Sequence, residues 1–251
     1  MITVGMNSHS RLGNQMWGYA MLRSVAERNG YKWYYNPKEW LGHSLFDCDL
    51  GEKDGNIQQD FFELPGQQFN PEVFNVKDFT CLQGYWQSAK YFKREDVKEW
   101  FWINPSRVRE CLELSPYQFK TNTCFINVRG TDQKLPHLTL DKEYYDTAMR
   151  IMRRFREDME FVVVTDDPEL GAKYFPSLLV LSNSRDVDFC LMRHANYVIG
   201  AISTFAWWAC YLNDYNVAIF PKYFYHHKTQ GVEGCSGWGP MDIHTHKFIW
   251  I

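Results

Sequence analysis

From Cys124 to Pro221 the chain alternates, almost without interruption, between short apolar runs and segments with helical spacing. CFINV, FVVVTDD, LLVLS, YVIGAIS and NVAIFP read as strands; DKEYYDTAMRIMRRF, PELGAKYF, DVDFCLMRHA and TFAWWACYLND read as the helices between them. Four of these strands are apolar on both faces, the pattern of a parallel sheet covered by helices on either side. The stretch is the regular part of one α/β unit of roughly 130 residues, a common size for one domain.

The opening is a second α/β pattern. MITVGM is a short β-branched strand, SRLGNQ a polar loop containing Gly13, and MWGYAMLRSVAERNG a helix with Met16, Tyr19, Ala20, Leu22, Arg23 and Ala26 at helical spacing. Gly30 ends it, and YKWYY starts another strand. Such a βαβ start is what a Rossmann-like half looks like, with its first loop at the carboxyl edge of the sheet. Residues from Asn36 to Thr80 are less regular. LQGYWQSAKYFKREDVKEWFWI then reads as a strand or turn at Leu82–Gly84 leading into helical pieces, closed by the Asn104-Pro105 break. The expected division is residues 1–110 and 111–251.

Composition narrows the partners. The chain has 251 residues, 45% of them hydrophobic, and a formal charge of −3, with no long block of like charge. That is no basic field for nucleic acid. No window is apolar enough for a membrane span, and MITVGMNSHSRLGNQ is not a basic leader followed by an apolar run. Seven cysteines form no CxxC pair and sit mostly in apolar runs, as reduced thiols do. A cytoplasmic enzyme is the expectation.

Three stretches carry chemistry. In SRLGNQ a glycine lets backbone approach a ligand, while Asn14 and Gln15 offer amides; taken alone, a polar turn with a capping amide is the commoner reading. In ISTFAWW, Ser203 and Thr204 stand between strand and helix, the geometry of an N-cap and of a phosphate site alike. Arg129 leaves the end of a buried strand, placed either to clamp an anionic ligand or to pair with Asp132. Asp47-Cys48-Asp49 has the D-x-D spacing of a cation site, and chance accounts for it better. His226-His227 and His244-x-His246 lack further ligands at zinc spacing, and Trp207 and Trp208 read as core.

Taken together these residues resemble a family. SRLGNQMWGYAMLRSVAERNG is similar to the G-R-L-G-N-Q opening of the family-11 α-1,2-fucosyltransferases, and LQGYWQSAKYF to their F-x-G-Y-x-Q-S-x-K-Y-F stretch. FVVVTDDP resembles F-x-x-F-S-D-D, and DFCLMRHANYVIGAISTFAWWACYLN with FPKYF resembles D-x-x-L-M, N-S-S-F-S-W-W and x-P-x-x-W/F. The matches run in order from Arg11 to about Phe224. The resemblance implies a GT-B-like α/β fold of two Rossmann-like domains facing a cleft, the first on the acceptor side and the second binding a nucleotide sugar. It also implies inverting transfer of fucose from GDP-fucose to a glycan hydroxyl, with no metal and no other cofactor.

By the same resemblance Arg129 holds the donor β-phosphate, Asp188 reads guanine, and Ser203, Thr204 and Phe205 lie at the phosphate-contacting junction. Arg11, Gly13 and Asn14 form the loop toward the donor sugar. Three positions depart from the pattern: Asn127 stands for the family's His, Gly130 for its second Arg, and Ile202 for the Asn of N-S-S-F-S-W-W. Asn127 can still hydrogen-bond a ligand. An inverting transfer needs a base, for which His137 is the first candidate and Asp132 the competitor. Two alternatives stand beside this reading: a silent or different-donor nucleotide-sugar binder, and a dinucleotide oxidoreductase, against which the absence of a G-x-G-x-x-G loop argues.

Overall fold

The computed structural model describes residues 1–6, 10–64, 67–118, 120–130, 140–222 and 243–251. They fall into two units. Met1–Asn104 makes the first, to which Ile243 and His244 also belong, and the described chain from Pro105 makes the rest. The division lies six residues before the expected one, because α3 (Pro105–Leu114) packs on α6 (Arg185–His194) of the second unit. Pro105 opens α3, where its missing N–H has no helical partner to lose.

In the first unit, β1 (Ile2–Gly5), β2 (Trp33–Tyr34), β3 (Gln59–Phe62) and β4 (Thr80–Gln83) form a parallel sheet in the order β2-β1-β4-β3. The crossover helix α1 spans Leu12–Asn29 and α2 spans Arg94–Trp100. Helix α1 begins four residues earlier than its apolar spacing predicts. Arg11, extended at φ −83° and ψ 171°, is the N-cap residue, and its carbonyl accepts from Asn14 and Gln15 N–H at 3.0 Å each. Gly13, Asn14 and Gln15 are therefore helical, not loop. Polar atoms inside this turn find tertiary partners: Gln15 Nε2 donates to the Glu39 carbonyl at 2.8 Å, and its Oε1 accepts from Leu41 N–H at 2.8 Å.

The second unit has six parallel strands: β5 (Thr123–Val128), β6 (Glu160–Thr165), β7 (Leu179–Leu181), β8 (Tyr197–Ile199), β9 (Val217–Phe220) and β10 (Ile249–Trp250). Their order is β10-β9-β8-β5-β6-β7. The chain thus winds outward from β5 one way and then from β8 the other, the doubly wound Rossmann arrangement. Every residue of β5 is buried, as a central strand under helices on both faces requires. The helices are α3, α4 (Lys142–Phe155), α5 (Pro168–Tyr174), α6 and α7 (Thr204–Tyr211). Asp141, Asp167, Ser184 and Ser203 cap the last four, each side chain accepting from the backbone of the first turn. Each such cap is worth about 1 kcal/mol.

Trp207 and Trp208 are fully buried core, Trp207 stacked on Tyr211 with ring centroids 4.3 Å apart. Neither α3 nor β10 is legible in the sequence pattern. Among the described residues no helix is long and apolar enough to cross a membrane.

Candidate functional site

In a doubly wound sheet the loops after the two strands at the reversal of order part to opposite faces, leaving a crevice at their carboxyl ends. Here those strands are β5 and β8, neighbours in the sheet with Phe125 opposite Val198. Arg129 is the first residue past β5, and its Nη1 donates to the Ile202 carbonyl, just past β8, at 2.9 Å. The guanidinium therefore bridges the crevice mouth. It is half-buried, and this bond across 73 residues of sequence holds it beside the start of α7.

Ser203, itself buried, accepts from Ala206 N–H at 3.3 Å as the cap of that helix. Thr204 and Phe205 are its first two residues and are half-exposed. The opening N–H groups of an α-helix have no intrahelical acceptors and carry its positive end, so Arg129 and α7 together present the groups that an anion seeks. The Phe205 ring packs edge-on against Phe189, 5.3 Å between centroids, which anchors this first turn on α6.

Asn127 lies inside β5, opposite Val164 of β6, with 8% of its surface exposed. Its Oδ1 has no hydrogen-bond partner, and its Nδ2 reaches the Val164 carbonyl only at 3.5 Å. Tyr145 Oη donates to the Asn127 carbonyl at 3.3 Å, and Tyr144 Oη to that of Gly200 at 2.7 Å, so α4 steadies the ends of both strands. Gly130 N–H donates to Asp166 Oδ1 at 3.0 Å. A Cβ at position 130 would stand 2.3 Å from Asp167 Cβ, so the loops after β5 and β6 meet as closely as glycine alone allows. The structure has no room there for an arginine.

Asp188 sits in the first turn of α6, 8% exposed, with Asn183 Nδ2 donating to its Oδ1 at 2.9 Å. Burial raises its carboxyl from the ordinary 3.8 to about 6, against the hydrogen bonds from Asn183, and the charge of Asp166 raises it further. A buried carboxylate so placed gains most from a ligand offering two adjacent N–H donors.

Asn127, Arg129, Asp188, Ser203, Thr204 and Phe205 are thus all carried by the second unit. Arg11, Gly13 and Asn14 lie in the first, at the start of α1, where Asn14 Oδ1 accepts from Gln87 Nε2 at 3.0 Å. Asp132 and His137 lie outside the described residues, as do His226 and His227. His244 and His246 are exposed. In the D-x-D stretch, Asp49 is bound up locally: its carbonyl accepts from Tyr19 Oη at 2.8 Å and its Oδ1 from Gly51 N–H at 2.9 Å. Among the described residues no three His, Cys, Asp or Glu side chains gather as a metal site. Sequence reasoning missed Tyr144 and Tyr145, whose roles arise from strand order. The only local signal was the Tyr-Tyr pair opening a helix.

The chain matches the profile of glycosyl transferase family 11 over residues 56–229. It is 30% identical over 254 residues to the alpha-1,2-colitosyltransferase of Escherichia coli, an alignment covering 83% of this chain and 87% of that one. It is 24% identical over 233 residues to galactoside alpha-(1,2)-fucosyltransferase 1 of Rattus norvegicus, covering 80% of this chain and 61% of the relative. Among solved structures, NodZ alpha-1,6-fucosyltransferase soaked with GDP-fucose superposes with a TM-score of 0.52 at 13% identity, over 84% of this chain and 92% of that one. That likeness is one of fold, the GT-B kind, and the family match sets the oxidoreductase reading aside. The protein belongs to glycosyl transferase family 11 and is a glycosyltransferase of the fucosyltransferase-like group.

Proposed function

We propose that this glycosyltransferase moves L-fucose from GDP-fucose to a hydroxyl of a galactoside or related glycan, with inversion at the transferred carbon and without a metal ion. The observation that carries the reading is Arg129 held across the β5–β8 crevice beside the start of α7. Charge that grows on a departing diphosphate is stabilised by donors already in place, which need no rearrangement as the bond breaks. Arg129 and the first turn of α7, with Ser203, Thr204 and Phe205, take that role. Asp188 accepts from the N1–H and exocyclic amine of guanine. Asn127 supplies a further acceptor beside the nucleotide, and Arg11, Gly13 and Asn14 address the donor sugar. His137 is the base that removes the acceptor proton, with Asp132 as its rival.

Of the two relatives, the colitosyltransferase is the more similar, at 30% against 24% identity. This favours a second reading in which the sugar is colitose, which is fucose without its 3-hydroxyl. Free thiols on the six described cysteines, five of them buried, fit a reducing compartment, and we place the reaction in the cytoplasm.

Calorimetric titration with GDP, UDP and ADP, followed by transfer to lactose from GDP-fucose and GDP-colitose in EDTA, tests the proposal. GDP is expected to bind best and turnover to persist in chelator. Preference for UDP refutes the guanine assignment, and GDP binding without turnover of any donor marks a silent binder. Activity that needs added Mg²⁺ or Mn²⁺ transfers the charge stabilisation to a metal, makes Asp166-Asp167 candidate ligands and reopens Asp47-Cys48-Asp49.

A further inference from the structure

In the first unit the turn that follows β4 is held in a conformation that its tryptophan disfavours. Gly84 has φ +150° and Trp86 φ +57°, a left-handed value rare for a bulky side chain. Gln87, 5% exposed, has an Oε1 with no hydrogen-bond partner, and the buried Trp86 Nε1 has none either. Something outside the turn must hold it. Glu63, directly after β3, does so from the neighbouring strand: its Oε2 accepts from Tyr85 N–H at 2.8 Å and its Oε1 from Trp86 N–H at 2.7 Å. The Gln87 backbone N–H also favours its charge, against burial, which raises its carboxyl above the usual range. A Cβ on Gly84 would lie 2.4 Å from Glu63 Cβ, so glycine is what lets the carboxylate come this close. The Trp86 ring, fully buried and stacked 6.3 Å from Phe61, fixes the apolar side of the turn.

The far end of this turn reaches the start of α1. Gln87 Nε2 donates to Asn14 Oδ1 at 3.0 Å, which sets the orientation of the Asn14 amide. We propose that Glu63 is a positioning residue for transfer: its carboxylate locks the Gly84–Gln87 turn, and Gln87 passes that order on to Asn14. The inference rests on the reading of Asn14 as a donor-sugar contact. In this role Glu63 acts through two bonds to backbone and one side chain.

The test uses the full chain with GDP-fucose and lactose. Glu63→Gln keeps the volume but turns one acceptor into a donor facing an N–H. It is expected to lower kcat/KM about 100-fold, the scale of an ångström-sized misplacement, with GDP affinity unchanged. Gln87→Leu removes the unpaired acceptor and the link to Asn14 together, so it should lose activity comparably while Tm stays within a few degrees. Neither should add to Asn14→Ala, since groups acting in series are not additive. Parental activity in Glu63→Gln and Gln87→Leu, or losses that multiply with Asn14→Ala, overturn the proposal. A loss of GDP affinity and Tm in step with activity overturns it as well, because it marks general destabilisation. If the parent turns over neither GDP-fucose nor GDP-colitose, the failure lies with the functional reading rather than with Glu63.

Discussion

At the carboxyl edge of the six-stranded sheet, regular elements carry the polar groups: Arg129 leaves a fully buried strand, Ser203 caps a helix, and Asp188 lies within another. At the corresponding edge of the four-stranded sheet the order comes from an irregular turn, pinned by one half-buried carboxylate and one amide-to-amide bond. Both sheets are parallel and both present strand ends, yet the means of placing a side chain differ. Where strands and capped helices suffice, a residue inherits its position from the fold. Where an irregular turn follows the strand instead, position depends on a chain of particular hydrogen bonds. Groups on the first edge should thus tolerate mutation of their surroundings, and groups on the second should not.

The largest expected effect probes the regular edge. Arg129→Ala should reduce transfer by at least about 10²- to 10³-fold, the loss seen when a preorganised donor to developing charge is removed. The strand and helix beside it should survive, so Tm should change little. Arg129→Lys should recover little, because an ammonium cannot span two phosphate oxygens. Parental turnover in Arg129→Ala would remove the arginine from the reaction altogether.

Next in size is Asp188. Asp188→Ala should weaken GDP about 10- to 100-fold with little effect on UDP, since two ligand N–H groups lose their acceptor. Its acidity supplies a pH test. The folded carboxyl is raised to about 6 from 3.8, so the folded state binds the proton more tightly than the unfolded chain does. Its contribution to stability is therefore greatest at low pH and is lost as pH rises through about 4 to 6, on the order of 2–3 kcal/mol by the linkage relation. Asp188→Asn should raise Tm at pH 7 and flatten that part of the stability profile. GDP affinity of the parent, which needs the carboxylate, should run the other way and fall below about pH 6. Thermal melts and calorimetry across pH 4.5–7.5 read both.

A smaller effect is expected at Gly130. Gly130→Ala should destabilise by about 1–3 kcal/mol through overpacking, because the added methyl meets Asp167 Cβ and disturbs the cap of α5. Gly130→Arg should not raise activity, even though it adds a positive charge, since the side chain has no place beside Asp167. A more active arginine variant would show that the loops after β5 and β6 yield more readily than their contacts indicate.

Much of the second unit was legible because its signals are local. Caps such as Asp141, Asp167 and Ser203, together with apolar runs of strand length, mark elements without reference to distant chain. The first unit was harder to read. Its strands β2 and β3 are short, and the stretch between them is organised by aromatic packing of Trp40 and Phe46 on Tyr19 and Phe101, which leaves no periodic trace. At the start of α1, Gly13 and Asn14 read as loop because polar residues with glycine usually do. Burial of Gln15 against Glu39 and Leu41 overrode that preference.

By itself the sequence determined that strands and helices alternate, that the sheets are parallel, and that an arginine stands one step past a buried strand. Hydrophobic period and capping act over a few residues, so they can be read from a few residues. Only the tertiary structure decided that β8 lies beside β5, which brings the Ile202 carbonyl to Arg129 across 73 residues. It likewise decided that Asp188 is buried near Asp166, that Gly130 has no space for a side chain, and that Glu63 governs a turn more than twenty residues away. Those facts depend on strand order and on close packing between segments distant in the chain, and no local pattern encodes either.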